Sequence, residues 1–392
     1  MHRCANAVNE RGRRPRPERE RTGRVLVLTP RAGGGISQMM HYLETAVGSQ
    51  PHRWRFEFFV THDRSLLASI WRFPHRLWRF AGRCARGDVD LCHINVSCRG
   101  STVRKSCYAA LCRKYGIPYV LHLHAGGYPE YLARGSALRR RVIERLFLSA
   151  ARVIVLGATW SAFVCDQIGV PVERIAILPN AVPARDDSSA GKRSHPPLIA
   201  FVGLMHRNKG VDTLLEALSE REVRSLAWQA KLVGGGDPDR YRARIARLGL
   251  SDRIQAPGWR PPEEVRSLLA RASIFVLPSL IENLPMALLE AMAYGICPVV
   301  TPVGAIPEVI SHGVNGLIVP AGDPHALADA LRRLLSDPVL MSRLGQASQR
   351  KFSESYEIGN YVTRLVAQYE LAMGEKRCLK VRSGRSDRTC AE

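Results

Sequence analysis

Two glutamates lie eight residues apart in the segment IFVLPSLIENLPMALLEAMAYG, residues 274–295: Glu282 and Glu290. A carboxylate accepts two hydrogen bonds at once, which suits the vicinal hydroxyls of a sugar. In a helix, eight residues bring the chain back to nearly the same side at ~100° per residue. The spacing alone favours a helix cap and a solvated charge. Glu290, however, is surrounded by apolar or small residues, so we expect a buried charge that needs a partner.

The residues between the two glutamates predict the start of a helix after a buried strand. Pro285 suits a first helical turn and Gly295 suits a helix end. Unpaired backbone amides at such a helix start bind phosphate or sugar oxygens. The sequence therefore predicts a ligand contact at Asn283, Leu284 and Pro285.

A second motif, FVGLMHRNKGVDTLLEAL at 201–218, predicts a strand, a loop with two cations, Arg207 and Lys209, and an amphipathic helix. Cations at the end of a strand stabilise negative charge that develops on a departing diphosphate. A solvated turn is the alternative for an isolated Lys-Gly pair.

The first half of the chain has two further candidates at strand ends. GGGIS, residues 33–37, follows the strand-like run RVLVLTP, and glycines there let the backbone approach a phosphate or an acceptor, which makes Gly34 and Gly35 candidates. His124 ends the strand-like run YVLHLH, beside Gly126 and Gly127, where a side chain enters a cleft. His122 lies deeper on the same face of the strand and is expected to be structural.

Two basic segments could meet an anionic partner. The segment LCHINVSCRGSTVRKSCY, residues 91–108, has polar and cationic groups that could bind a phosphate-bearing acceptor: Arg99, Ser101, Arg104 and Lys105. A solvated basic loop explains this segment equally well. The segment SLLASIWRFPHRLWRFAGR, residues 65–83, interleaves aromatic residues with arginines. It fits an interfacial membrane helix, a helix packed into the core, or a surface that stacks single-stranded nucleic acid.

Strand-like runs alternate with helix-length segments along the whole chain, which predicts α/β architecture with doubly wound parallel sheets. A Ser- and Pro-rich linker at 187–197 separates two domains, 24–186 and 198–354, and a ligand is expected in the cleft between them. A helix at 355–373 is expected to pack back on the first domain. Residues 1–23 and 374–392 are expected to be a disordered basic leader and a disordered basic tail.

Composition narrows the function classes. The net charge is +22, and residues 1–190 hold 30 Lys and Arg against 14 Asp and Glu, so an anionic partner is expected on the first half. Uncharged runs are too short or too rich in proline to span a membrane, and no secretory signal is found, which predicts a cytoplasmic protein. The 10 cysteines lack metal or redox spacing, and cationic side chains such as Lys209 can neutralise a diphosphate, so we expect metal-independent chemistry without a cofactor.

The segment from 274 onwards resembles the retaining glycosyltransferases of family 4, which have the GT-B fold of two Rossmann-like domains facing a central cleft. That family has two glutamates separated by seven residues, and the resemblance implies that Glu290 binds the nucleotide ribose and Glu282 contacts the transferred sugar. The run VTPVGAIPEVISHGVNGLIVPAGDPHAL continues the likeness at Gly304, Glu308, Asn315, Gly316 and 320–324. Lys209 matches a lysine of the family, whereas Leu204 replaces the usual arginine. Either Arg207 supplies the second cation from within the loop, or Lys209 binds the leaving group together with helix amides.

The resemblance implies transfer of a hexose from a nucleotide diphosphate sugar, with retention, to a lipid-linked or oligosaccharide acceptor in bacterial exopolysaccharide or cell-surface polysaccharide synthesis. It assigns catalytic roles to Glu282, His124 and Lys209 and places the loop at Gly34 and Gly35 across the cleft from the donor phosphates. The basic first domain would contact an anionic membrane peripherally, at the inner face of the cytoplasmic membrane. A GT-B nucleotide-sugar epimerase and a non-enzymatic basic nucleic-acid-binding protein remain as alternatives.

Overall fold

A computed structural model describes residues 22–30, 34–49, 51–63, 65–185 and 193–385. Side chains are not described at 66, 68 and 375–385. The expected leader at 1–23 therefore lies almost wholly outside the described residues, as does most of the linker at 187–197. Within the described residues, no helix combines the length and apolar character needed to cross a membrane.

The first domain has a six-stranded parallel sheet in the order β2-β1-β3-β4-β5-β6. Its strands are rich in β-branched and leucine residues and several are buried along their whole length, as expected for a parallel sheet covered on both faces. The bounds are β1 Gly23–Pro30, β2 Trp54–His62, β3 Leu91–Val96, β4 Tyr119–Leu123, β5 Arg152–Val155 and β6 Ile175–Ile177. Strand β6 was not predicted from the sequence, because three residues are too few for a hydrophobic pattern.

Helices cover both faces of this sheet. Helix α2 packs against α3, and α3 packs against α5, which forms one layer. Helix α1 contacts the last helix of the chain on the other face. The helices are α1 Gly35–Ala46, α2 Leu66–Ala85, α3 Gly100–Lys114, α4 Tyr128–Ala133, α5 Ala137–Leu148 and α6 Ala158–Phe163.

The second domain repeats this architecture with a parallel sheet in the order β12-β11-β10-β7-β8-β9. Its strands are β7 Leu198–Val202, β8 Gln229–Val233, β9 Ile254–Gly258, β10 Ile274–Leu277, β11 Cys297–Val300 and β12 Leu317–Ile318. Its helices are α7 Val211–Ser219, α8 Arg221–Arg224, α9 Pro238–Arg247, α10 Pro262–Arg271, α11 Met286–Ala293, α12 Ile306–Val309, α13 Pro324–Ser336 and α14 Pro338–Ser355. The two doubly wound, Rossmann-like domains expected from the sequence are confirmed.

The last helix, α15 (Ile358–Arg385), returns to the first domain. Glu370 accepts a hydrogen bond from the indole Nε1 of Trp54 at 2.6 Å, and the hydroxyl of Tyr369 lies 2.6 Å from His93 Nδ1. The helix includes residues 374–385, which the sequence analysis assigns to a disordered tail. No proline interrupts α15, and Glu, Lys, Arg and Leu in this stretch are good helix formers.

The chain order reverses beside β1 in the first sheet and beside β7 in the second. In open parallel sheets, ligands bind outside the carboxyl ends of the strands at such a reversal. The loops after β1, β4, β7 and β10 start from these ends, and they contain the candidate residues Gly34, His124, Lys209 and Glu282.

Candidate active site in the interdomain cleft

Glu282 and Lys209 form an ion pair at the carboxyl end of the second sheet. The Lys209 ammonium bonds to Glu282 Oε1, and the hydroxyl of Ser279 donates to the same oxygen at 3.1 Å. The Glu282 side chain is 8% exposed, so its charge is compensated by Lys209 rather than by water. The structure therefore joins two residues that the sequence analysis assigned separately to the sugar and to the departing diphosphate.

A glycine holds the loop of Lys209 against the loop after β10. Gly210 has a φ of +71°, and a Cβ at this position would lie 1.8 Å from the carbonyl oxygen of Pro278. Leu280 N also donates to Asn208 O at 2.9 Å. Only glycine allows this contact, which fixes the distance between Lys209 and Glu282.

Arg207 lies in the same turn as Lys209 and is exposed. No ion pair of Arg207 occurs among the described side chains, so its guanidinium is available to a ligand at the cleft. Leu204, at the position where the family's arginine was expected, is 52% exposed and supplies no charge.

Glu290 lies within α11, whose other residues are mostly buried. Its Oε1 accepts a hydrogen bond of 2.8 Å from the hydroxyl of Tyr42, on α1 of the other domain. Burial raises the pKa of Glu290, and the bond from Tyr42 and the nearby charge of Arg266 oppose that rise. The apolar surroundings of Glu290 predicted that its charge needs a partner, but Tyr42 could not be identified because the two residues are 248 positions apart.

The residues before α11 lie at the contact between the domains. Pro285 is the N-cap residue and the helix begins at Met286. Leu284 O accepts a bond of 2.8 Å from the Asn180 side chain. Asn283 is 6% exposed, and neither side-chain amide atom has a hydrogen-bond partner among the described residues. A buried amide without partners is a candidate ligand contact that agrees with its predicted role.

The glycine loop after β1 is described from Gly34 onwards. Gly34 has a φ of +119°, and a Cβ there would meet open space. A Cβ on Gly35 would lie 3.7 Å from Met286 Cγ, so the start of α1 faces the start of α11 across the cleft. This position agrees with a role for Gly34 and Gly35 beside a ligand held by α11.

His124 lies in the part of the first domain that touches Glu282. Its Nε2 is 2.7 Å from Asn95 Oδ1, and burial, with a smaller effect of His93, lowers its pKa to about 3. The ring is therefore neutral at physiological pH and acts as a hydrogen-bonding group. Two residues later, a Cβ on Gly126 would lie 2.3 Å from the carbonyl oxygen of Glu282, so the two loops are in backbone contact.

His122 is fully buried, and its ring centroid lies 4.0 Å from that of His124. Neither ring nitrogen of His122 has a hydrogen-bond partner among the described residues. It lies behind His124 in the sheet, as expected for a structural residue.

The four predicted acceptor-side residues separate into two groups. Arg99 is exposed and Ser101 accepts a bond of 3.1 Å from Ser97 N in the loop after β3. Lys105, in contrast, is 1% exposed and donates to the Thr61 hydroxyl at 2.8 Å. Its position on the buried face of α3 contradicts a direct contact with an acceptor. The sequence motif placed it in a basic loop, whereas the residue belongs to a helix that begins at Gly100.

Arg104 is half-buried beside the carboxyl end of β2. There its charge, with those of Lys105 and Arg76, adds to burial in lowering the pKa of His62 to about 4. The Nε of Arg104 has no hydrogen-bond partner among the described residues. Arg104 therefore remains a candidate for an anionic group that enters from the β2 side of the cleft.

A further contact between the domains comes from Glu308. Its carboxylate accepts bonds from Ala158 N at 2.8 Å and Thr159 N at 3.3 Å, at the start of α6. A Cβ on Gly157 would lie 2.5 Å from Glu308 Oε1, so this approach also requires glycine. In the described part of the chain, no group of three or more His, Cys, Asp and Glu side chains is arranged to hold a metal ion.

Comparisons with known proteins identify the families that the two domains resemble. Residues 19–185 match the family model for Glycosyltransferase Family 4, and residues 184–351 match that for Glycosyl transferases group 1. The amylovoran biosynthesis glycosyltransferase AmsK of Erwinia amylovora is 31% identical over 50% of this chain and 52% of its own length. The chain thus spans about half the length of such relatives.

Solved structures show the same fold over almost the whole chain. Sucrose-phosphate synthase from Thermosynechococcus elongatus has a TM-score of 0.70 at 19% identity, covering 90% of this chain and 100% of its own. HepE of Anabaena, in complex with UDP, has a TM-score of 0.68 at 19% identity, covering 89% and 99%. The fold is GT-B, and the two family models extend over both domains, so the chain belongs to the family 4 glycosyltransferases.

Proposed function

We propose that this protein transfers a hexose from a nucleotide diphosphate sugar to a lipid-linked or oligosaccharide acceptor, with retention, in bacterial exopolysaccharide or cell-surface polysaccharide synthesis. The observation that carries the proposal is the arrangement at α11: Glu290 is held inside the cleft, and the Glu282–Lys209 pair lies at the carboxyl end of the adjoining strand. The names of AmsK, an amylovoran biosynthesis glycosyltransferase, and of HepE, solved with UDP, support the substrate class.

In this proposal the donor's nucleoside lies against Glu290, whose carboxylate accepts the two ribose hydroxyls. The diphosphate lies at the start of α11, where free amides and the positive end of the helix dipole favour an anion. Lys209 and Arg207 balance its charge, so no metal or other cofactor is invoked. Glu282, already bonded to Lys209, then meets the hydroxyls of the sugar.

The reaction breaks the bond between the anomeric carbon and the diphosphate oxygen and forms a bond from that carbon to an acceptor hydroxyl. Attack on the face that the diphosphate leaves gives retention, and the acceptor proton passes to the departing diphosphate oxygen. Lys209 stabilises the charge that develops on this oxygen. Neutral His124 orients a sugar hydroxyl by hydrogen bonding, because burial keeps its pKa near 3.

The acceptor enters from the first domain in this proposal. Arg99 and Arg104, with Ser101, are the groups at the ends of β2 and β3 that could bind its phosphate, whereas Lys105 stays in the core. An acceptor bound to a lipid requires the protein to work at a membrane surface, and the excess positive charge of the first domain would draw it to the inner face of the cytoplasmic membrane.

A thermal-shift panel of uridine, guanosine and adenosine diphosphate sugars tests the donor assignment. A donor at 100 times its Kd stabilises a one-site protein by about 2.7 kcal/mol, which raises the Tm measurably. We expect one member to do so for the wild type and for the control Glu354→Gln, an exposed residue on α14. Glu290→Gln keeps the side-chain volume, and the rise should be lost.

The donor assignment is wrong if no member stabilises the wild type or if Glu290→Gln responds like the control. Product analysis then separates the enzyme classes. Sugar transferred to a lipid extract supports the proposal, whereas donor epimerisation without an acceptor supports the alternative enzyme.

A further inference from the structure

The outer surface of α2 has a continuous apolar stripe. Its large side chains are spaced at helical intervals of three, four, eight and eleven residues, so they lie on one face. All are well exposed: Leu67 71%, Ile70 60%, Trp71 83% and Trp78 71%. Monomeric proteins rarely leave so large an apolar surface in water without a use for it.

The opposite face of α2 already supplies the packing that the fold needs. Phe80 is fully buried, with its ring centroid 5.0 Å from that of Tyr108, and Phe73 packs against the same tyrosine at 6.0 Å. Cys84 extends this buried face. The exposed stripe is therefore additional to the core, and the segment 65–83 does not fit an ordinary core helix alone.

Positive charge borders the stripe. Helix α2 contains no Asp or Glu between Leu66 and Ala85. Arg72 has 64% of its side chain exposed, even though it lies 3.4 Å from Asp63, and Arg79 is exposed as well. An apolar stripe with tryptophans and flanking arginines has the composition of a helix that lies in the interface of an anionic bilayer.

The stripe starts at the edge of the cleft. Helix α2 follows β2 after a short loop, and Asp63 in that loop accepts a bond of 2.8 Å from Arg76. Leu67, Ile70 and Trp71 lie in the first two turns of α2, near the carboxyl end of the sheet. A lipid that occupied the bilayer under this part of α2 would have its head group close to Arg76 and Arg104.

We propose that α2 docks the protein on an anionic membrane, with Leu67, Ile70, Trp71 and Trp78 inserted among the lipid head groups and acyl chains. The inference rests on the proposed function in one respect, since a lipid-linked acceptor explains why the cleft must face a bilayer. Single-stranded nucleic acid fits less well, because Leu67 and Ile70 cannot stack on bases as aromatic rings do. A second copy of the same basic face would be repelled by the flanking arginines.

The test is co-sedimentation of the full chain with phosphatidylcholine vesicles containing 0% or about 30% phosphatidylglycerol, an anionic fraction large enough to attract basic residues. The wild type should bind the anionic vesicles, and Trp71→Ala with Trp78→Ala should lower its partition coefficient at least about tenfold, because both interfacial anchors are removed. Trp259→Ala removes a tryptophan that is 67% exposed in the second domain and should bind like the wild type.

Charge is tested separately. Arg72→Gln with Arg79→Gln should weaken binding to anionic vesicles and reduce its salt dependence. Equal binding of wild type and the double tryptophan variant overturns the proposal. The proposal is also overturned if the double tryptophan variant keeps its vesicle binding but loses oligonucleotide binding or self-association.

Donor binding is measured on the same samples by thermal shift. If the double tryptophan variant loses vesicle binding and keeps its donor response, both proposals stand. If a donor raises the Tm of the wild type but the wild type does not bind anionic vesicles, only the membrane-docking proposal is wrong. If vesicles bind and no donor does, the proposed function fails instead.

Discussion

The carboxylate of Glu290 and the phenol of Tyr42 meet across the cleft at 2.8 Å. A phenol hydroxyl and a ribose hydroxyl make the same kind of bond to a carboxylate, with oxygen donating to oxygen. Tyr42 therefore supplies, without a ligand, one of the bonds that we assign to the donor. It also makes a buried negative charge tolerable in a helix of apolar residues.

Tyr42→Phe removes this donor and leaves the shape of the side chain. Burial already raises the pKa of Glu290, and loss of the bond should raise it further. A carboxyl group with a raised pKa in the folded state destabilises the fold above that pKa, and the penalty disappears as the group is protonated. We expect the variant to lose about 1.5–3 kcal/mol of unfolding free energy at pH 8, as for a hydrogen bond to a charged group, and less at pH 5.

Urea unfolding at the two pH values measures this difference. Tyr115→Phe, at a tyrosine 37% exposed at the end of α3, is the control and should show little loss at either pH. An equal loss for Tyr42→Phe at pH 5 and pH 8 would show that Glu290 does not carry the effect.

At the scale of elements, the helical conformation of α3 explains why the cationic residues of the basic segment 91–108 lie in different environments. Thr102, Lys105, Ala109 and Cys112 follow a helical period and form its buried face. Burial lowers the pKa of Lys105 to about 7, and the neighbouring charge of Arg104 acts in the same direction. A lysine with a lowered pKa in the folded state destabilises the fold while it is charged, so stability rises with pH between about 7 and the ordinary lysine pKa of ~10.4.

Lys105→Met should abolish this pH dependence. Relative to the variant, the unfolding free energy of the wild type should rise by up to about 1.4 kcal/mol per pH unit between pH 7 and pH 9. Urea titrations of both proteins across this range provide the measurement. If the unfolding free energies of the two proteins changed in parallel with pH, Lys105 would not be buried and partly neutral. A large increase in the acceptor KM of Lys105→Met would support a role of Lys105 in acceptor binding.

Much of the architecture could be predicted from local patterns. Buried strands such as β7 and β10 are continuous apolar runs, and Pro285 and Gly295 mark the two ends of α11. The strands β6 and β12 have three and two residues, and their pairing depends on neighbours that are distant in sequence. Helix α15 extends beyond 373 because the chain there has good helix formers without a proline, although its charge suggested disorder.

A site residue could be predicted only where the residues that form its environment lie in the same segment of the sequence. The apolar surroundings of Glu290 are visible in its own helix, so its need for a partner could be predicted. Its partner Tyr42 and the close approach of Gly126 to Glu282 depend on how two domains meet. No spacing in the sequence encodes those distances.

At the scale of the whole molecule, the two domains touch through backbone as well as side chains. Gly126 is the closest example, because a methyl group there would lie 2.3 Å from the carbonyl oxygen of Glu282. Contacts this short are not tolerated, so the loops must separate when a Cβ is present. The sugar site lies between these loops in our proposal, so their separation should misplace His124 relative to Glu282.

Gly126→Ala should therefore reduce the transfer rate by roughly 100-fold, the order expected for a misplacement of about 1 Å. Gly127→Ala is a closely matched control, since its Cβ would have its nearest contact at 3.9 Å. Rates with a saturating donor and the thermal stability of both variants should be measured together. Similar rates for the two alanine variants would mean that the close approach does not position the site.

The return of α15 also changes what counts as a complete first domain. Tyr369, fully buried, lies against His93, and Glu370 bonds to Trp54, so residues from the far end of the sequence finish the packing of a sheet that begins at Gly23. During synthesis on the ribosome, all strands of the second domain are made before α15, the last helix of the first domain. A premature stop after α14 would thus spare every strand and still damage the half of the protein that was made first.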